Sequence, residues 1–119
     1  MSLISAHEIL GWIFVVANGI AGAWALSAAH WGQLSRRGLW LFTGFAEALA
    51  TPQAVLGALL ITTQGREPPD MHVFYGFLTM MVVAILFSYR SQLSDKLLLL
   101  YGFGGLFLMG LGIRAMLLG

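Results

Sequence analysis

The 119 residues carry six Lys or Arg against five Asp or Glu, a formal charge of +1, while 59% are hydrophobic and only 9% charged. With a mean hydropathy of +0.85, this composition excludes an ordinary soluble domain, and the balanced charge excludes nucleic acid as a partner. The absence of Cys removes disulfides, thiolate-ligated zinc, iron–sulfur clusters and c-type haem attachment from consideration.

Four charge-poor segments, approximately 8–29, 38–62, 71–90 and 97–117, each approach the roughly 20 residues that cross a hydrocarbon core about 30 Å thick. They are apolar all round rather than striped, which favours lipid over water as their surroundings. The expected fold is therefore all-α: residues 1–119 form a single integral membrane domain, a four-helix up-down bundle whose short connections make neighbours antiparallel. The chain starts without a basic leader region, so the first apolar run reads as a retained helix. Arg36, Arg37, Arg90 and Lys96 lie in the first and third connections, against Arg66 and Arg114 on the other side. The positive-inside rule then places both termini outside. Trp31, Trp40 and Tyr89 stand at the inner boundary as interfacial anchors, and a bacterial cytoplasmic membrane is the expected location.

The first segment opens Ser5-Ala6-His7-Glu8, the S-x-x-E pattern of a capping box. Ala17, Ala21, Ala25 and Ala29 then recur every four residues beside Asn18 and Gly22, a small-residue face on which another helix can pack closely. In the second segment Thr43, Glu47, Thr51, Ala54 and Ala58 are expected to point inward. Pro52 removes one backbone hydrogen bond there and kinks the axis, freeing a carbonyl near Ala48, with Gln53 at the same bend.

Glu47 lies about nine residues, or roughly 13 Å, from the start of its helix, near the bilayer middle. A carboxyl group at that depth is a functional candidate, as a proton carrier or cation ligand. The structural alternative is a protonated Glu47 donating a hydrogen bond to Asn18, at similar depth on the first helix.

The second connection, read through the stretch GREPPDMHVFYG at 65–76, gathers most of the outer charge. Gly65 is expected to end one helix, Pro68 and Pro69 to block its continuation, and Asp70 to cap the next. His72 follows Asp70 as His7 follows Ser5, so the two histidines fall at similar outer depth. Helix N-termini disfavour added positive charge, and neutral imidazole is the form that binds metals. First and third helices are diagonal in a simple four-helix arrangement, so His7 and His72 are positioned as axial ligands of a b-type haem, with Arg114 level with them to meet propionates. A quinol site built from His72, Tyr75 and Glu67 is a second candidate, and copper held by His7, His72 and Met71 a third. The bland reading is a pair of interfacial histidines bonded to Glu8 or Asp70. His30, beside Trp31, belongs to the opposite boundary. Gly102, Gly104, Gly105, Gly110 and Gly112 permit close packing of the fourth helix on several sides without forming a G-x-x-x-G motif.

In outline, four short-loop helices with paired outer histidines are similar to small bacterial membrane cytochromes of the b type; the similarity is architectural, and no motif ties the chain to one family. Small size, scarce loops, many Gly and Ala faces and the lack of a complete catalytic set point first to a non-catalytic accessory or anchoring subunit of a larger energy-converting, respiratory or photosynthetic, membrane complex. Its partners would be the lipid bilayer and other membrane subunits. The alternative is an electron carrier or quinol-binding module using His7 and His72. The single Pro-broken helix lacks the matched second one of a discontinuous-helix transporter.

Overall fold

The computed structural model describes residues 2–119, and those residues form helices α1 (Leu3–His30), α2 (Arg37–Ala48), α3 (Ala50–Gln64), α4 (Asp70–Tyr89) and α5 (Leu97–Leu118). Short 3-10 turns at Gly32–Leu34 and Ser94–Lys96 lead into α2 and α5. Taking α2 and α3 as one interrupted rod, four helices are long and apolar enough to cross a membrane, which is compatible with an integral membrane protein. The molecule measures 48 × 27 × 20 Å, and its long dimension matches a bilayer with its headgroups.

The first helix begins earlier than expected. Ser2, not Ser5, is the N-cap: its Oγ accepts from the Ser5 amide at 3.2 Å and donates to the Ser5 hydroxyl at 2.8 Å. The cap has moved one turn back because the Leu3-Ile4 pair continues the helix, and His7 becomes its fifth residue. At the start of α4, Asp70 is likewise the first helical residue rather than the cap. Pro69 holds that place, its carbonyl receiving the amides of His72 (3.1 Å) and Val73 (3.3 Å). Gly65 does end α3, in the left-handed region at φ 62°, where a side chain would be strained.

The rod of α2 and α3 breaks at Leu49, three residues before Pro52, as the missing proline amide and the ring's clash with the preceding turn require. Its buried side follows Leu39, Thr43, Ala46, Glu47, Ala50 and Leu60. Thr51, Ala54 and Ala58 are exposed, contrary to the face inferred from sequence. The expected face runs straight across the break at Leu49, beyond which Gln53, Gly57 and Leu60 are more covered than Thr51, Ala54 and Ala58.

Helix α1 is the centre of the packing, against α5 on one side and α2 with α3 on the other; α4 completes the group by lying on α5 and α3. The α1–α5 contact is backbone to backbone. A Cβ built on Gly105 would stand 2.9 Å from the Gly22 Cα and 3.0 Å from the Asn18 carbonyl, and one on Gly22 would stand 2.8 Å from the Gly102 carbonyl. Apolar cores above and below are formed by Phe14, Ala50, Leu86 and Leu108, by Ala17, Ala21 and Ala46, and by Ala25, Ala28 and Leu39. The alanine stripe of α1 ends on Ala28, with Ala29 exposed.

Candidate functional site

At one end of the bundle α1, α3, α4 and the last turn of α5 converge, and they bring His7 and His72 together. The two rings have centroids 6.1 Å apart and planes inclined at 75°. His72 is fixed by a 2.7 Å contact between its Nδ1 and the Ala115 carbonyl. A carbonyl can only accept, so Nδ1 is the donor and carries the proton; in the neutral ring Nε2 is then a free lone pair. Metal-binding imidazoles are commonly oriented in this way, by a backbone carbonyl on the other ring nitrogen.

His7 is held differently. Its backbone carbonyl accepts from Gln53 Nε2 at 2.8 Å, while its buried Nδ1 has no hydrogen-bond partner. Glycines flank both rings: a Cβ on Gly57 would lie 3.4 Å from His7 Cε1, and one on Gly119 would lie 2.7 Å from His72 Nδ1. A side chain at Gly119 would displace the His72 ring, whereas a Cβ at Gly57 would only touch His7.

Arg114 is exposed at the same end, its guanidinium carbon 5.9 Å from the centroid of the Tyr75 ring. That cation–π approach joins Tyr75 and Arg114 one turn along α4 from His72. Neither Glu8 nor Asp70 hydrogen-bonds a histidine, and Glu67 and Met71 point outward, both exposed. Among the described residues no group of three or more His, Cys, Asp or Glu side chains is disposed to hold a metal ion, which leaves a two-imidazole arrangement as the relevant donor set.

Two imidazoles sharing one metal, with bonds of about 2 Å each, have centroids roughly 6 Å apart, and so do two rings in edge contact. The 6.1 Å spacing is therefore common to a shared ion and to plain ring contact. Helices α1 and α4 do not pack along their lengths, so the histidines bridge a diagonal of the bundle, with Gly57 of α3 and the end of α5 to either side. Two open surface concavities lie elsewhere, around Lys96, Leu99 and Phe103 and around Ala29, Trp40 and Lys96 at the opposite end.

Deeper in the bundle, Asn18 is completely buried and its Nδ2 donates to the carbonyls of Phe14 (2.9 Å) and Ala46 (3.0 Å). It does not bond Glu47, as had been expected. Because both partners are acceptors, the amide nitrogen must face them and Oδ1 turns away. That Oδ1, Thr43 Oγ1, Glu47 Oε2 and Gln53 Oε1 are all buried without partners. The carbonyl that Asn18 satisfies is Ala46, two residues before the Ala48 group freed by Pro52. Sequence reasoning passed over Gly57, Gly119 and the Ala115 carbonyl. Gly57 stands four residues after Gln53 on the same face, a spacing that does point at the site; the other two are legible only in three dimensions. His30 stacks edge-on with Trp31 at 4.6 Å and takes no part.

No protein-family model, curated protein or solved structure matches this chain.

Proposed function

We propose that the chain is a small integral membrane subunit of an electron-transfer complex and that its His7–His72 end holds a redox ligand. The single observation behind this reading is the convergence of two imidazoles from diagonal helices at a 6.1 Å centroid spacing, one with its Nε2 left free by the Ala115 carbonyl. A b-type haem would be held by His7 and His72; a quinol bonded through His72 and Tyr75 comes second. Haem iron would supply one-electron chemistry at this position. The chain would contribute His7 and His72 as ligands, Gly57 and Gly119 as the small residues that let the rings stand there, and Arg114 as the cation for an acidic substituent. As a whole the protein is proposed to be one domain, an up-down-up-down bundle with both termini on the outer face of a bacterial cytoplasmic membrane.

The accessory or anchoring role has its own support. Gly44, Gly76 and Gly110 open onto empty space, with nothing within 4 Å of a Cβ built on them. Such notches on lipid-facing helices admit the backbone of another membrane helix. The two roles are compatible in one subunit.

The test is the visible spectrum of protein purified in mild detergent from haem-competent cells. A reduced-minus-oxidised b-type band, lost in His7→Ala and in His72→Ala, is expected. Colourless protein that is nonetheless folded overturns the haem reading; stoichiometric copurification with oxidoreductase subunits would then leave the anchoring role standing alone.

A further inference from the structure

The unpartnered polar atoms are not scattered. His7 Nδ1 and Asn18 Oδ1 on α1, with Gln53 Oε1, Glu47 Oε2 and Thr43 Oγ1 on α3 and α2, all belong to one interface. Two hydrogen bonds pin its register, Gln53 Nε2 to the His7 carbonyl and Asn18 Nδ2 to the Ala46 carbonyl. Along α1 the file runs roughly 16 Å from His7 to Asn18, and along the facing rod about 15 Å from Gln53 to Thr43. Pro52, which leaves the Ala48 carbonyl without its helical donor, lies within the same stretch. Each buried polar atom without a partner costs about 1–3 kcal/mol, so five along one seam call for internal water, which bonds such groups in most proteins.

We infer that this seam is a hydrated half-path by which Glu47 exchanges a proton with the aqueous side at the His7 end. One proton enters from bulk water at that end and is relayed along hydrogen-bonded waters to the Glu47 carboxylate, whose charge changes from −1 to 0; on release it returns the same way. The direction follows from what lies beyond Glu47 on each side. Toward the His30 end the interface closes with Ala25, Ala28 and Leu39, each no more than 1% exposed and without a polar side-chain atom. Toward the His7 end the buried apolar side chains of α1 and α3 between Glu47 and Gln53 include Phe14 and Ala50, packed with Leu86 and Leu108, and Phe14, the larger of the two on the seam, is the constriction. The other titratable side chains facing the path are His7 on α1 and Tyr101 on α5, the latter within electrostatic range of Glu47. Nothing in this inference depends on a ligand at the histidine pair.

Infrared spectroscopy of the full chain in lipid nanodiscs, titrated with acid and then transferred to D2O, tests it. A carboxylic C=O band is expected that disappears in Glu47→Gln and moves within minutes of deuterium transfer. If Glu47→Gln does not fold, Glu47→Asp identifies the band by displacing it. Gln53→Leu slows the exchange by about tenfold, equivalent to raising a barrier by one hydrogen bond's worth, and Phe14→Ala accelerates it. Leu111→Ala, a truncation of a buried α5 residue outside the cluster that holds Phe14, leaves the rate alone. A band that resists deuterium for hours overturns the proposal, as does exchange that Gln53→Leu leaves unchanged or that Leu111→Ala accelerates as much as Phe14→Ala does. Acceleration by Leu39→Ala alone would put access at the opposite end and overturn the stated direction.

Discussion

The two sides of α1 solve opposite problems. Toward α5 the helix presents Gly22 and meets Gly102 and Gly105 so closely that backbone touches backbone; toward α2 and α3 it presents His7 and Asn18 and meets Thr43, Glu47 and Gln53. In lipid the hydrophobic effect does not favour helix association, so contact area from small residues carries the first interface. The second interface gives up some of that close fit for polar groups, two of which are tied by hydrogen bonds while others are not. A seam that tolerates unsatisfied atoms lies beside a seam that tolerates no extra methyl group, so close packing and polar character fall on different faces of one helix.

The sharpest way to break this division is Gly105→Leu. With a Cβ already 2.9 Å from the Gly22 backbone, the added side chain forces α1 and α5 apart, a loss of about 3 kcal/mol readable as earlier unfolding in mixed-micelle denaturation. Asn18→Leu comes next: two hydrogen bonds vanish and the Ala46 carbonyl is orphaned, for about 1 kcal/mol in a membrane setting, measured the same way. Gly44→Ala should go in the other direction and stabilise the isolated chain by about 0.5 kcal/mol, since it adds helix propensity in open space. The same substitution should weaken copurification of any subunit seated on that notch. Smallest is Thr43→Val, expected within about 0.5 kcal/mol of the parent. A clear stabilisation instead would mean the hydroxyl was buried dry and at a cost.

The sequence made the spans legible because twenty apolar residues between charges are a strong signal and because Pro52 and Gly65 act through local backbone geometry. The pairing of His7 with His72 was also legible, from their shared position near helix starts. What failed were choices between equivalent local options. Ser2 and Ser5 are both competent caps, and only the continuation of helix through Leu3 and Ile4 decides between them. Pro69 displaced Asp70 by a single residue. Thr51, Ala54 and Ala58 looked inward because one face was carried straight through the break that Pro52 imposes, whereas only tertiary packing decides which side of α3 is covered beyond it. Asn18 and Glu47 share a depth, yet depth does not say which way an amide turns. Two carbonyls, on its own helix and its neighbour, took its donors.

The glycine contact between α1 and α5 also bears on how the protein is made. Gly22 leaves the ribosome roughly 80 residues before Gly105, which at about 5–20 residues per second is some 4 to 16 s of synthesis. Throughout that interval α1 waits in the membrane with its most closely fitting surface uncovered, free to accept a wrong neighbour. The bundle's best-matched contact is therefore the last that translation can supply, and assembly factors or partner subunits that shelter α1 would act in that window.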